Sequence, residues 1–174
     1  MLYTASLGLS SHLYAAQSNA DIELKNAKMK AELDYKAADE KCNALKDNPK
    51  DICVAQAKAA RVHPEQSALV HSKNTLSNRT DANKKIAEAE YEVDKAKCKA
   101  QVGNAQDVCI KEAMSTKVQI IAKATADKKI IEARKDEAED KNNAEYKVAI
   151  EKCDAMTGSA KDNCVAKVKA SHGK

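Results

Sequence analysis

The sequence contains no phenylalanine and no tryptophan, and tyrosine is its only aromatic residue. That excludes a core built on large rings. Four glycines and two prolines in 174 residues leave few places for the chain to turn, which points to long helices and argues against a sheet. No stretch approaches the roughly 20 apolar residues that a membrane helix needs. Charge of one sign is also missing. Thirty basic residues stand against 26 acidic ones, a net of +4, and the signs are interspersed. This is the pattern of a solvated helical surface rather than of a patch for nucleic acid or an anionic membrane.

What is present is alanine, 32 residues of it, which supplies much of the 43% apolar content. Burying alanine removes little apolar area from water, whereas a large aliphatic side chain contributes roughly 1.5–3 kcal/mol. A thick core is therefore not expected. Alanine, lysine and glutamate lose little rotamer freedom in a helix, so the composition favours long solvated helices.

The first twenty residues, MLYTASLGLSSHLYAAQSNA, carry no charge, and DIELKNAKMK after them is charged throughout. An apolar run followed by small residues reads as the end of a secretory signal without its basic start, or as a disordered tail. Ser18-Asn19-Ala20 fits the cleavage pattern.

Six cysteines occur as three pairs, each eleven positions apart: CNALKDNPKDIC from Cys42 to Cys53, CKAQVGNAQDVC from Cys98 to Cys109, and CDAMTGSAKDNC from Cys153 to Cys164. The frames share more than spacing. Tyr35, Tyr91 and Tyr146 lie seven residues before the first cysteine, and Asp51, Asp107 and Asp162 lie two before the second. The chain thus holds an internal repeat in three copies. Gly103 and Gly158 sit where a helix stops in a left-handed residue, and Asp47 takes that place in the first copy. Asn48, Asn104 and Ser159 follow as expected N-caps, with the aspartates completing a capping box. Each frame then reads as an αα-hairpin with a tight loop. At about 1.5 Å per residue both cysteines stand at matching heights near that loop, within the roughly 7 Å between Cα atoms that a disulfide requires. Pairing is expected within each frame. Zinc sites favour closer cysteine spacing, and none of the four histidines shares the repeat.

Two turns below each first cysteine, the tyrosines are expected to pack across the hairpin against the small residues Ala60, Thr116 and Ser171. Val54, Ile110 and Val165 continue an apolar stripe. Pro64 is expected to end a helix near Val62, with a softer stretch at Ser77–Ala82. His63 and His71 read as surface residues. From Ala105 to Thr157 there is no glycine or proline, and a bend or break is expected near Thr125–Asp127 or Asn142–Asn143. Ile120, Ile121, Ile130 and Ile131 offer a seam for another helix or a second copy. The domain reading is a signal remnant or tail over 1–20, a first hairpin over 21–63, a linker or short helix over 64–82, a second hairpin over 83–124 and a third over 125–174. The fold class is all-α: three disulfide-stapled antiparallel hairpins joined by long helices, an elongated or coiled-coil-like bundle without a sheet.

The stretch AEYKVAIEKCDAMTGSAKDNCVAKVKASHGK, with its Tyr-x₆-Cys-x₁₀-Cys frame and Gly-Ser loop, resembles the C-terminal end of a group of exported, functionally uncharacterised Ala/Lys-rich proteins of proteobacteria. The resemblance extends over about residues 24–173. It implies secretion to the periplasm or envelope and supplies no catalytic residues. The KDNP loop of the first copy departs from the pattern.

No nucleophile stands beside a shared histidine and no glycine-rich phosphate loop occurs. Catalysis, a cofactor and a metal site are therefore not expected. The expected role is that of a non-catalytic envelope protein that meets a protein partner, or itself, through helix faces, with no specific nucleic acid and no membrane span. A holdase-like stress protein and a weak binder of divalent cations or polyanions are the alternatives.

Overall fold

A computed structural model of the chain describes the backbone of residues 9–174 and the side chains of residues 19–174. It contains five helices: α1 (Leu9–Cys42), α2 (Asp47–Ser72), α3 (Leu76–Cys98), α4 (Asn104–Asp154) and α5 (Gly158–His172). No strand occurs among the described residues, and the fold is all-α. Of residues 1–20, read as a signal remnant or tail, residues 1–8 lie outside the described residues. From Leu9 onward that segment is the first part of α1, which no glycine or proline interrupts.

The three disulfides close within their own frames, with Cα–Cα distances of 5.5 Å for Cys42–Cys53 and 5.6 Å for both Cys98–Cys109 and Cys153–Cys164. No cysteine is free. The turns between the stapled helices have the backbone that the repeat implies. Asp47, Gly103 and Gly158 hold φ of 53°, 58° and 59°. Nothing lies within 4 Å of a Cβ built on either glycine, so a substitution there meets backbone strain alone. Asp47→Gly is expected to stabilise the protein by about 1 kcal/mol, and Gly103→Ala to destabilise it by a similar amount. Chemical denaturation of the two variants would check the opposite signs.

The expected caps form differently. The residues that precede α2 and α5 are Lys46 and Thr157, and neither helix has a side-chain cap. Asn48 faces another helix instead. With its amide turned to suit its partners, Nδ2 donates to the Ala96 carbonyl at 2.8 Å and Oδ1 accepts from the Ala100 N–H at 3.1 Å. Asn104 and Ser159 begin their helices without a side-chain hydrogen bond among the described residues. Asp51 pairs with Lys99 at 2.9 Å rather than closing a box. Asp107 lies in the first turn of α4, where its charge suits the helix N-terminus. Asp162 is exposed, one turn into α5.

Three expected interruptions are absent. Pro64 lies inside α2 without ending it. Its ring removes one backbone donor to Ala60, but both residues are exposed, and water can serve the orphaned carbonyl. The expected linker over 64–82 therefore shrinks to residues 73–75, since α2 runs to Ser72 and α3 starts at Leu76. Thr75 caps α3 by accepting from the Asn78 N–H at 3.1 Å, so Ser77–Ala82 is helical. Helix α4 runs unbroken through both sites where a bend or break is expected, and the boundary between the two compact units falls at the first of them. The Thr125 hydroxyl turns back to the Ile121 carbonyl at 2.8 Å, which keeps the side chain within the helix. Asn142 and Asn143 bond to the end of α5 rather than to their own backbone.

The chain divides into two compact units, Met1–Ala126 and Asp127–Lys174, with the boundary inside α4. In the first unit α2 packs on α1 and on α3. Its buried residues are mostly alanines, such as Ala31, Ala57, Ala59, Ala82, Ala87, Ala96 and Ala113, with Tyr91, Val93 and the cysteines Cys42 and Cys98. Small side chains let the helix axes approach closely, and that replaces the missing aromatic bulk. In the second unit Cys153 is the one buried residue among those described. Ile120, Ile130 and Ile131 are 43%, 50% and 47% exposed, and they form no buried seam within the chain.

Candidate binding groove

Each hairpin is closed at two levels, by the disulfide near the loop and by a tyrosine two turns away. The partners of the tyrosine rings differ from the small residues expected. Ala60, Thr116 and Ser171 are exposed. The ring partners are the residues one position further on: Arg61 lies 4.8 Å over Tyr35, Lys117 lies 4.2 Å over Tyr91, and His172 meets Tyr146 edge-on at 5.8 Å. Length explains the difference. A phenol ring reaches past the facing position, and a long cationic stem can lie along it where alanine cannot. A third residue completes the clasp. Glu32 bonds Arg61 at 2.9 Å and Glu88 bonds Lys117 at 3.1 Å, each three residues before its tyrosine. In the third copy Asn143 stands at that position and accepts from Lys174 at 2.7 Å, while Asn142 bonds His172. The signal was in the repeat: Arg61, Lys117 and His172 all lie eight residues after the second cysteine.

Of the histidines, His63 on α2 pairs with Glu90 on α3, and His71 lies 3.9 Å from Glu23 on α1. They tie helices together at the surface. Among the described residues no group of three or more histidine, cysteine, aspartate or glutamate side chains is placed to hold a metal ion, and no helix is long and apolar enough to cross a membrane.

A concave feature lies on the α2–α3 face of the first unit. It is an open groove of about 700 Å³, and sequence reasoning missed it because it arises from the pairing of two helices. Its floor is aliphatic, formed by Val54, Ala55 and Val62 of α2 with Ala89 and Ala96 of α3. Six cations and four carboxylates line it. All four carboxylates are engaged: Asp51 with Lys99 at 2.9 Å, Glu65 with Arg61 at 3.7 Å, Glu88 with Lys117 and Glu92 with Lys95 at 3.5 Å. Lys50, Lys58 and Lys85 have no ion-pair partner among the described residues. The groove thus presents three uncompensated positive charges over an apolar floor.

At the end of this groove sits Gln66, 6% exposed, whose Oε1 is buried with no hydrogen-bond partner. Arg61 Nε is likewise buried without a hydrogen bond, with Glu65 Oε1 3.7 Å away. A buried polar atom without a partner costs on the order of 1–3 kcal/mol.

Comparison of the chain with protein-family models, curated proteins and solved structures returned no match.

Proposed function

We propose that this chain is a non-catalytic, exported protein of the bacterial envelope that acts as an interaction scaffold through its helix faces. The observation that carries this reading is the α2–α3 groove, in which an aliphatic floor lies between charges whose positive members outnumber their partners. Such a surface binds a chain laid along it, because apolar contact supplies affinity and the rim charges supply orientation. The groove is open along its length and lacks the enclosure that excludes water from a reacting centre.

Three structural disulfides support export, since such bonds persist in oxidising compartments and are rare in the cytosol. The resemblance of residues 24–173 to exported Ala/Lys-rich proteins of proteobacteria supports the envelope in particular.

A photo-reactive amino acid at Val62, on the groove floor, tests the reading in living cells. Irradiation is expected to give an adduct with the mass of a second protein. The same probe at Thr116, an exposed position outside the groove, is expected to give little. Equal yields at the two positions would remove the groove from consideration as the contact surface.

A further inference from the structure

The occupant of the groove can be narrowed, on the reading that the groove is where a partner binds. The antiparallel register of α2 and α3 is set by the Asp51–Lys99 and His63–Glu90 pairs. That register puts Lys85 of α3 level with residues 65–68 of α2. Lys50 and Lys58 are eight residues apart on α2, about 12 Å at the helical rise. Lys85 stands a further seven to ten residues' height along, about 10–15 Å. Taken along the groove's length, the three unpaired lysines form a row spanning about 22–27 Å beside an aliphatic floor, with Lys50 and Lys58 on one wall and Lys85 on the other.

We infer that the α2–α3 groove binds an acidic amphipathic helix of a partner protein, with aliphatic side chains on the floor and one carboxylate every second turn on Lys50, Lys58 and Lys85. The spacing selects this occupant. Two turns of an α-helix advance about 11 Å, so carboxylates seven residues apart on one face recur at about the interval of the lysines. A nucleic-acid strand carries a charge every few ångströms, so most of its phosphates would fall between the lysines. There they would face Asp51, Glu65, Glu88 and Glu92, which lie in the same groove. A strand of phosphates also brings nothing aliphatic to Val54, Val62 and Ala89. A helix with few, spaced acids avoids those carboxylates and covers that floor.

The test uses the full disulfide-bonded chain and a fluorescein-labelled helical peptide of about 25 residues, the length of the row plus a turn at each end. The peptide carries a leucine–alanine stripe and three glutamates about seven residues apart, which keeps them on one face. Fluorescence anisotropy is expected to show saturable binding that weakens with added salt. It should be about tenfold tighter than for the peptide with glutamine at the three positions. The triple variant Lys50→Glu, Lys58→Glu, Lys85→Glu is expected to lose the acidic peptide and to gain one with lysine at those positions. Its circular dichroism should stay helical, and the triple variant Lys50→Gln, Lys58→Gln, Lys85→Gln, which adds no carboxylate beside Asp51 and Glu88, should lose the acidic peptide with its melting unchanged. Equal binding of the glutamate and glutamine peptides would overturn the charge assignment while leaving the groove as a helix site. Absence of binding by every helical peptide would overturn both. Displacement of the acidic peptide by single-stranded DNA or polyphosphate at lower charge concentration would assign the row to a polyanion and overturn the inference.

Discussion

Replacing Cys153 and Cys164 with alanine is expected to melt α5 while α1–α3 stay folded. This helix has 15 residues, none of them buried, and isolated helices shorter than about 12–15 residues are marginal in water. Apart from the disulfide, α5 is held at its ends. Lys161 meets Asp154 at 3.0 Å near the loop, and His172 and Lys174 meet Asn142 and Asn143 at the far end. Exposed contacts of this kind contribute up to about 1 kcal/mol each. A loop of this size closed by a disulfide restricts the unfolded chain by about 3 kcal/mol. The staple is thus comparable to everything else that holds α5, and Cys153 is itself the one buried residue described in this unit. Hydrogen exchange read by mass spectrometry should show peptides covering residues 158–172 losing protection almost completely. Protection over α5 equal to that of the parent would show that the polar clasp suffices.

The same substitution at Cys42 and Cys53 makes the contrast. There α2 packs on both α1 and α3, and Asn48 and Asp51 dock its first turn against the end of α3. The helices are expected to persist, with a lowered melting temperature in place of local melting. The two variants separate what a disulfide does in a unit that has a core from what it does in one that has almost none.

The hairpins could be read from the sequence because their determinants are local. A left-handed residue at Asp47, Gly103 or Gly158 and cysteines equidistant from it are fixed by spacing along the chain, and the structure has both. What escaped depends on contacts between helices. Asn48 has the chemistry of an N-cap, but a neighbouring helix end offers it a donor and an acceptor together, and that outcompetes one N–H of its own helix. Pro64 should break a helix in isolation. In α2 the exposed side leaves water to satisfy Ala60, and packing on two flanks maintains the turn. Asn142-Asn143 read as a break for the same reason: asparagine is a poor helix former only while its side chain competes for local backbone, and here α5 engages it. The partner of each tyrosine, Arg61, Lys117 or His172, was present in the repeat one residue beyond the position judged by height alone, without regard to reach. The groove had no local signature at all, since its two walls come from helices that begin some thirty residues apart.

Tyr91→Ala is expected to be the most damaging single substitution among the three repeat tyrosines. Tyr91 is 7% exposed and is the largest of the buried side chains in its unit, where most neighbours are alanines. Alanine has no rotamer with which to fill a vacated space, so the cavity cannot collapse, and aromatic truncation in a core costs about 3–5 kcal/mol. The ring also lies under Lys117, 4.2 Å away, whose side chain is only 14% exposed and whose ammonium meets Glu88. Removing the ring leaves that charge over a void. Thermal unfolding should drop on the order of 10 °C. Tyr35 and Tyr146 are half-buried, and their truncation should cost less. Tyr91→Phe keeps the ring, and the phenol oxygen makes no hydrogen bond among the described residues, so it should change stability by less than about 0.5 kcal/mol. Lys117→Met keeps the stem over the ring and removes the charge, and a loss of about 1–2 kcal/mol would measure the cation–π and ion-pair share. If Tyr91→Phe proved as harmful as Tyr91→Ala, the hydroxyl rather than the ring would be what the hairpin needs, and the packing account of this clasp would fail.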